Sequence, residues 1–449
     1  MTLGQRRFLY IIFISLFIIL VPAISFYAAG YEFNFKSGKI QRTGILVVKT
    51  EPKDALINLG EAKKYNWFYN FFYKNAELRT PQKMRNILPG KYKLTLSKDN
   101  YNEYSRDIEI KPGQSVLLDN LVLFKNSIPE RLLETGIINS SFSPDENNLA
   151  LLAPRELIVV KNNFSHFNQI PLASRQSLTT DLAWAPSSKK ILLNDANHSV
   201  INTETGEVEL KLQSFFSSLI QDAQWDSFSD DTIFVKSNNL IYQFAIAQKK
   251  SELIFERRVS GDFIIKDNLI YFIASRSGES VLFGYNLNNS ELVHDIILPT
   301  TSTWRFLEFK ENIIYLYDVR HETAYLIDPN SFMPIRDSLS NVRELKIIDN
   351  NKIVYWNDFE IWHYDISSQN KNLITRISEK IDKVWWYVNS NYVLYSTTDG
   401  IKTIELENDN YSQLIDILEF EGISNPALSH DNRFISFASD GWLYKLEIR

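Results

Sequence analysis

The sequence predicts an all-β protein: a small β-sandwich and then an eight-bladed β-propeller, with seven blades as the alternative, preceded by one transmembrane helix. Three features lead there. A degenerate unit of about forty residues recurs from Ile138 to the C-terminus, each copy an apolar strand, a polar turn and further alternating strands. Residues 44–125 hold short strands separated by Pro and Gly turns. From Phe8 to Tyr31 the chain has 24 uncharged residues rich in Phe, Ile, Leu and Val.

Taken in order, residues 1–7 form a short stub carrying Arg6 and Arg7. As a helix, residues 8–31 would be about 36 Å long, enough to cross a hydrocarbon core of about 30 Å. The two arginines favour an N-terminus inside and place everything after Tyr31 outside the cytoplasm. A cleaved signal peptide is the competing reading, since Pro22 can end an apolar region and Ala23-Ile-Ser25 offers small residues. Residues 32–43 read as a polar linker leaving the membrane.

The sandwich is expected over 44–125. Gly44-Ile-Leu-Val-Val-Lys-Thr-Glu is a strand stopped by Pro52. Ala55-Leu-Ile-Asn-Leu-Gly, Gly90-Lys-Tyr-Lys-Leu-Thr-Leu and Ser105-Arg-Asp-Ile-Glu-Ile follow, and Lys111-Pro-Gly-Gln turns into a last strand from Ser115. The order Gly44-x-Leu-x-Val, Glu51-Pro52 with Ala55-x-Ile57, Thr80-Pro81, Leu88-Pro89-Gly90-x-Tyr92-x-Leu94, Tyr101 and Lys111-Pro112-Gly113 resembles a PEGA domain. That resemblance implies a small β-sandwich of the kind found in surface-associated bacterial and archaeal proteins. The chain departs from the pattern by an insert ahead of Thr80, and this insert holds seven aromatics: Tyr65, Trp67, Phe68, Tyr69, Phe71, Phe72 and Tyr73. Three readings stand for them: packing on the chain itself, contact with the bilayer interface helped by Lys63, Lys64 and Lys74, or a partner-binding anchor.

The propeller is expected over 126–449. Corresponding positions fall at 142, 184, 225, 265, 309, 348, 387 and 428, in steps of 39 to 44 residues. The last unit has room for three strands, so closure calls for a strand from the other end, and Ser127-Ile-Pro-Glu-Arg-Leu-Leu-Glu-Thr can supply it. Phe142-Ser-Pro-Asp145 ahead of Asn148-Leu-Ala-Leu-Leu resembles the turn-and-strand signature of TolB-like and WD40-like propellers, with weaker copies at Trp184-Ala-Pro-Ser and Leu428-Ser-His-Asp431.

Composition narrows the chemistry. The chain has no cysteine, which excludes disulfides, thiolate metal sites, thiol nucleophiles and a lipoprotein attachment site. Residues 1–126 carry 19 Lys/Arg against 10 Asp/Glu, and residues 127–449 carry 29 against 44. The acidic repeat region should therefore repel nucleic acid. His166, His198, His294, His321, His363 and His430 lie in separate units without ligand spacing and read as turn or surface residues. Asp145, Asp181, Asp222, Asp262 and Asp382 recur near strand starts and read as turn formers. No nucleophile elbow, calcium loop or phosphate loop is present, so the expectation is a non-enzymatic protein without cofactor or metal. Its expected partners are the membrane through the helix, and envelope proteins or glycans on the propeller loops. The alternative is an enzyme acting on envelope glycan or peptide from channel carboxylates.

Overall fold

The computed structural model describes residues 3–34, 38–60, 77–161, 164, 166–387, 391–407 and 410–449. It divides into two compact units, Met1–Ile128 with Ile448–Arg449, and Pro129–Glu447.

The first unit opens with α1, Leu3–Ala28, which begins ahead of the arginines rather than after them. Gly30 ends it: its φ of 79° is a left-handed cap conformation, and its N–H donates to Tyr27 O at 3.0 Å. Within α1, Gly4–Ala28 has a mean hydropathy of 2.7 and is long and apolar enough to cross a membrane, a description that a signal sequence also meets. Residues 32–43 are more than a linker, because β1 (Tyr31–Asn34) and β2 (Lys39–Arg42) pair as an antiparallel hairpin. Their alternation is hard to read in sequence because each strand is only four residues long.

Among the described residues the sandwich has six strands: β3 (Gly44–Glu51), β4 (Leu56–Leu59), β5 (Gln82–Ile87), β6 (Gly90–Ser97), β7 (Tyr104–Ile110) and β8 (Ser115–Val122). They form two three-stranded sheets, β5-β3-β8 and β4-β6-β7, with β3 and β8 parallel. Period-two alternation points Leu46, Val48, Ile57, Leu59, Met84, Leu94, Leu96 and Ile108 into the core between them. Only a glycine fits at the start of β3, since a Cβ on Gly44 would stand 2.4 Å from Ile110 Cγ2. Thr80 ties the Pro52 turn down: its Oγ1 meets Thr50 Oγ1 at 2.5 Å and accepts from Ala55 N at 3.1 Å.

The second unit contains eight four-stranded antiparallel sheets among the described residues. We number them 1 to 8 in chain order, over 139–171, 182–211, 220–253, 263–297, 304–340, 344–376, 381–419 and 424–447. Each of the eight positions singled out in the sequence falls at or within one residue of its sheet's first strand. First strands of neighbouring sheets lie side by side, and Ser424–Leu428 of sheet 8 returns to Asn139–Phe142 of sheet 1. The array is therefore a closed ring with the first strands innermost.

Packing between sheets explains the continuous apolar runs. In Lys190-Ile-Leu-Leu of sheet 2, Ile191 and Leu193 join a core with sheet 1, while Leu192 faces Ile233 and Val235 of sheet 3. Both faces of the sheet are buried, so the polar half of the alternation disappears. The inner strands are also stitched by indoles: Trp184 Nε1 donates to Ser141 O and Trp225 Nε1 to Ala183 O, each at 3.0 Å.

Sheet 8 has only three strands of its own, and β9 (Glu130–Glu134) completes it by pairing antiparallel with Trp442–Glu447. Leu132 and Leu133 pack against the core shared by sheets 8 and 1, and Arg131 donates to Tyr444 OH at 3.0 Å. Leu133→Pro deletes a ladder donor within this closing strand. It should cost about 3 kcal/mol in denaturant unfolding and open sheets 8 and 1 to protease before the rest.

Candidate functional site

Up-and-down strand order gives the ring two faces. The upper face holds the connections between sheets and the turns between second and third strands; the lower face holds the other turns. The aromatics Tyr65, Trp67, Phe68, Tyr69, Phe71, Phe72 and Tyr73 lie outside the described residues.

The recurrent turn signature has a local cause. Ser143 Oγ donates to Asp145 Oδ1 at 2.6 Å and accepts from Asn148 N at 3.0 Å, so one serine closes the turn. Ser429 does the same with Asp431 and Phe434 N in sheet 8. These turns also link sheets, as Asp145 N donates to Ser188 Oγ and Ser187 bonds Asp230.

Charges sort by position. Among the described residues, the carboxyls pushed above their ordinary range all belong to innermost strands or their starts: Asp222, Asp262, Glu308 and Asp382, each chiefly through burial. Neighbouring Asp262 adds to the rise at Asp222, while Lys310 and Lys346 oppose it at Glu308. Burial lowers two lysines beside them: Lys236, whose Nζ donates to Gly261 O at 2.5 Å, and Lys346, with Glu308 and Glu146 opposing the drop. The channel wall is thus a set of desolvated, opposite charges.

Turns and outer strands behave in the opposite way. At Asp318 burial would raise the carboxyl. Hydrogen bonds from Ser302 Oγ, Thr300 Oγ1 and His321 Nδ1, at 2.5, 2.6 and 2.7 Å, outweigh it and hold it at about 2. Asp365 also sits at about 2, held by the Ser368 N–H and by the hydroxyls of Ser367 and Ser368. Burial likewise opposes the drop at Asp145, Glu209, Asp337, Asp358 and Glu360, and local donors win. Of the five acids read from sequence as turn formers, Asp145 fits that role and Asp181 accepts from Leu182 N just ahead of a first strand, whereas Asp222 and Asp382 lie within first strands and Asp262 immediately precedes one.

A cleft of about 470 Å³ opens on the upper face between sheets 5 and 6, lined in part by Tyr317, Arg343, Asp358, Phe359, Glu360 and Arg376. Arg343 organises it: Nη1 donates to Asp358 Oδ1 at 2.5 Å and Nη2 to Asp382 O of sheet 7 at 2.7 Å. Arg376 pairs with Glu360 at 2.5 Å, and Lys380 with Asp358 at 3.3 Å. Phe359 remains exposed in the cleft, and Leu178, Leu219 and Val319 are exposed on other upper-face connections. The lower face between the same sheets holds a smaller cleft of about 220 Å³. Sequence reasoning missed the upper cleft because its residues are spread over sixty positions of unremarkable turn sequence. The usable signal was Asn357-Asp-Phe-Glu, a turn with an aromatic at its tip.

One histidine departs from the turn-or-surface reading: His363 lies buried in the third strand of sheet 6. His198 does lie in a turn, but a buried one, where burial lowers its pKa against the pull of Asp195. A strand rich in aromatics, Trp362-His-Tyr, absorbs an imidazole into its packing as it would another ring. Among the described residues, no three His, Asp or Glu side chains converge as metal ligands would.

Comparisons with known proteins agree with this architecture. Residues 75–123 match the PEGA domain, a stretch that contains β5 to β8. The solved Dos1 propeller is 12% identical with a TM-score of 0.50, covering 72% of this chain and 95% of that one. A eukaryotic initiation factor structure is 15% identical with a TM-score of 0.47, covering 70% and 84%. A mitotic checkpoint complex is 13% identical with a TM-score of 0.44, covering 72% and 96%. No curated protein matches the sequence. The chain thus combines a stretch that matches the PEGA domain, a β-propeller fold and an N-terminal apolar helix.

The Asp318 cluster predicts a pH signature. Its carboxylate has a folded pKa below the ordinary 3.8, so its contribution is present above about pH 4 and is lost as pH falls towards 2. Asp318→Asn should destabilise the protein by about 1 to 2 kcal/mol at neutral pH. In unfolding measured across pH, that deficit should shrink between pH 4 and pH 2.

Proposed function

We propose that the protein is a membrane-tethered, non-catalytic scaffold of the cell envelope, inserted with its N-terminus inside and binding protein or glycan partners outside through the upper face of the propeller. The observation that carries this reading is the upper cleft. Asp358 and Glu360 are each held by a cation while Phe359 stays exposed, and Leu178, Leu219 and Val319 lie on the same face. Compensated charge around exposed apolar anchors suits recognition, because specificity comes from the rim and affinity from the anchors. Arg6 and Arg7 ahead of the apolar helix support the orientation.

The test is crosslinking in intact cells, comparing the full-length protein with a Leu219→Ser, Phe359→Ser variant. Both residues are exposed, so the fold should survive the change. Capture of envelope partners should fall about tenfold, the effect of losing one modest hot spot. Undiminished capture would move the binding site off this face.

The raised carboxyls of Asp222, Asp262, Glu308 and Asp382 favour a second reading, an enzyme acting on envelope glycan or peptide inside the channel. A raised carboxyl pKa moves the group towards the range in which it can act as a general acid. Glu308→Gln and Asp222→Asn separate the two readings. Under the scaffold reading they leave partner capture intact, and under the enzyme reading they abolish turnover of cell-wall glycan or peptide.

A further inference from the structure

The hairpin β1–β2 is built inside out for a protein in water. Its register sets Tyr31 opposite Arg42 and Phe33 opposite Ile40, so these four side chains share one face. That face looks outward: Tyr31 is 38%, Phe33 46% and Ile40 59% exposed. The opposite face carries Glu32, which is only 5% exposed and adds its charge to the burial that raises the pKa of Tyr92. Apolar side chains face out and a carboxylate faces in, the reverse of what burial favours in aqueous solution.

The position of the hairpin supplies the missing apolar solvent. Gly30, just past the end of α1, accepts from Thr43 N at 2.7 Å and from Thr43 Oγ1 at 2.8 Å. Thr43 O in turn accepts from Gly113 N at 3.0 Å. The helix end, both ends of the hairpin, the start of β3 and the turn before β8 therefore meet at one point, with no spacer between them. The headgroup layer is about 5 to 8 Å deep on each side, and a four-residue strand spans about 13 Å. Exposed cations Arg42 and Lys111 lie at that point, and exposed Lys39 stands at the turn end of the hairpin.

We propose that β1–β2 is an interfacial anchor, its Tyr31, Phe33 and Ile40 face lying in the phospholipid headgroup layer of the bilayer that α1 crosses, with Lys39, Arg42 and Lys111 on anionic headgroups. Aromatic and aliphatic side chains flanked by basic residues are what this layer accepts. The proposal rests on α1 being a retained membrane helix, and the test separates the two.

The chain has no cysteine, so single cysteines report cleanly in the full-length protein. Ile40→Cys, Phe33→Cys, Glu109→Cys and Ile14→Cys would each carry an environment-sensitive fluorophore, in nanodiscs of zwitterionic lipid with a minority of phosphatidylglycerol. Labels at 33 and 40 should shift to the blue and be quenched by headgroup spin labels, whereas a label at exposed Glu109 should not. A label at Ile14 quenched by acyl-chain spin labels, with Ile40 as wet as Glu109, would overturn the anchor and leave the helix in place. A label at Ile14 unquenched by acyl-chain probes would overturn both.

Discussion

Each sheet of the large unit is apolar on both faces, and that one constraint governs its architecture. Ile191 and Leu193 face one neighbour and Leu192 the other, so a single sheet has no stable state of its own. Stacking buries each face but leaves two bare ends, and the ring disposes of them by seating Leu149 and Leu151 of sheet 1 against Phe434 and Leu443 of sheet 8. β9 is then the lock, because it brings chain from ahead of sheet 1 to complete sheet 8. The join is backbone pairing, reinforced where the Arg131 guanidinium lies 5.4 Å from the Trp442 ring.

Closure also sorts the charges. Innermost strands crowd around a narrow axis, so a carboxylate there loses water faster than it finds donors, and Asp222, Glu308 and Asp382 rise. Turns offer free backbone N–H groups and short hydroxyl side chains, so a carboxylate there is over-supplied with donors, and Asp318 and Asp365 fall. The same residue type stabilises the fold in one place and stores unfavourable charge in the other.

What was legible in the sequence follows from range. The repeat was readable because its signature is local: Ser143 closes on Asp145 and Asn148 within five residues, and Ser429 repeats it. The closing strand was readable because one unit lacked a partner and Arg131-Leu-Leu had the right pattern. β5 escaped because only Met84 and Ile87 of its six residues are buried hydrophobics, too few to mark a strand. The hairpin escaped because each of its strands is four residues long, too short for the alternation to register. The upper cleft escaped because Arg343, Asp358 and Arg376 meet only after sheets 5, 6 and 7 have stacked.

That last dependence bears on how such a surface works. Arg343 leaves the start of sheet 6, pairs with Asp358 in its own sheet and reaches the backbone of Asp382 in the next. The cleft is therefore held by backbone and guanidinium geometry that the ring fixes, while the side chains of Phe359 and Val319 stand exposed on turns whose backbones are bonded into that frame. Substitution of those exposed side chains should cost the packing little, since no core side chain lies among them. A hydrogen-bonded frame beneath exposed apolar side chains is the arrangement from which the proposed binding role follows, and it keeps that role apart from the side chains the fold needs.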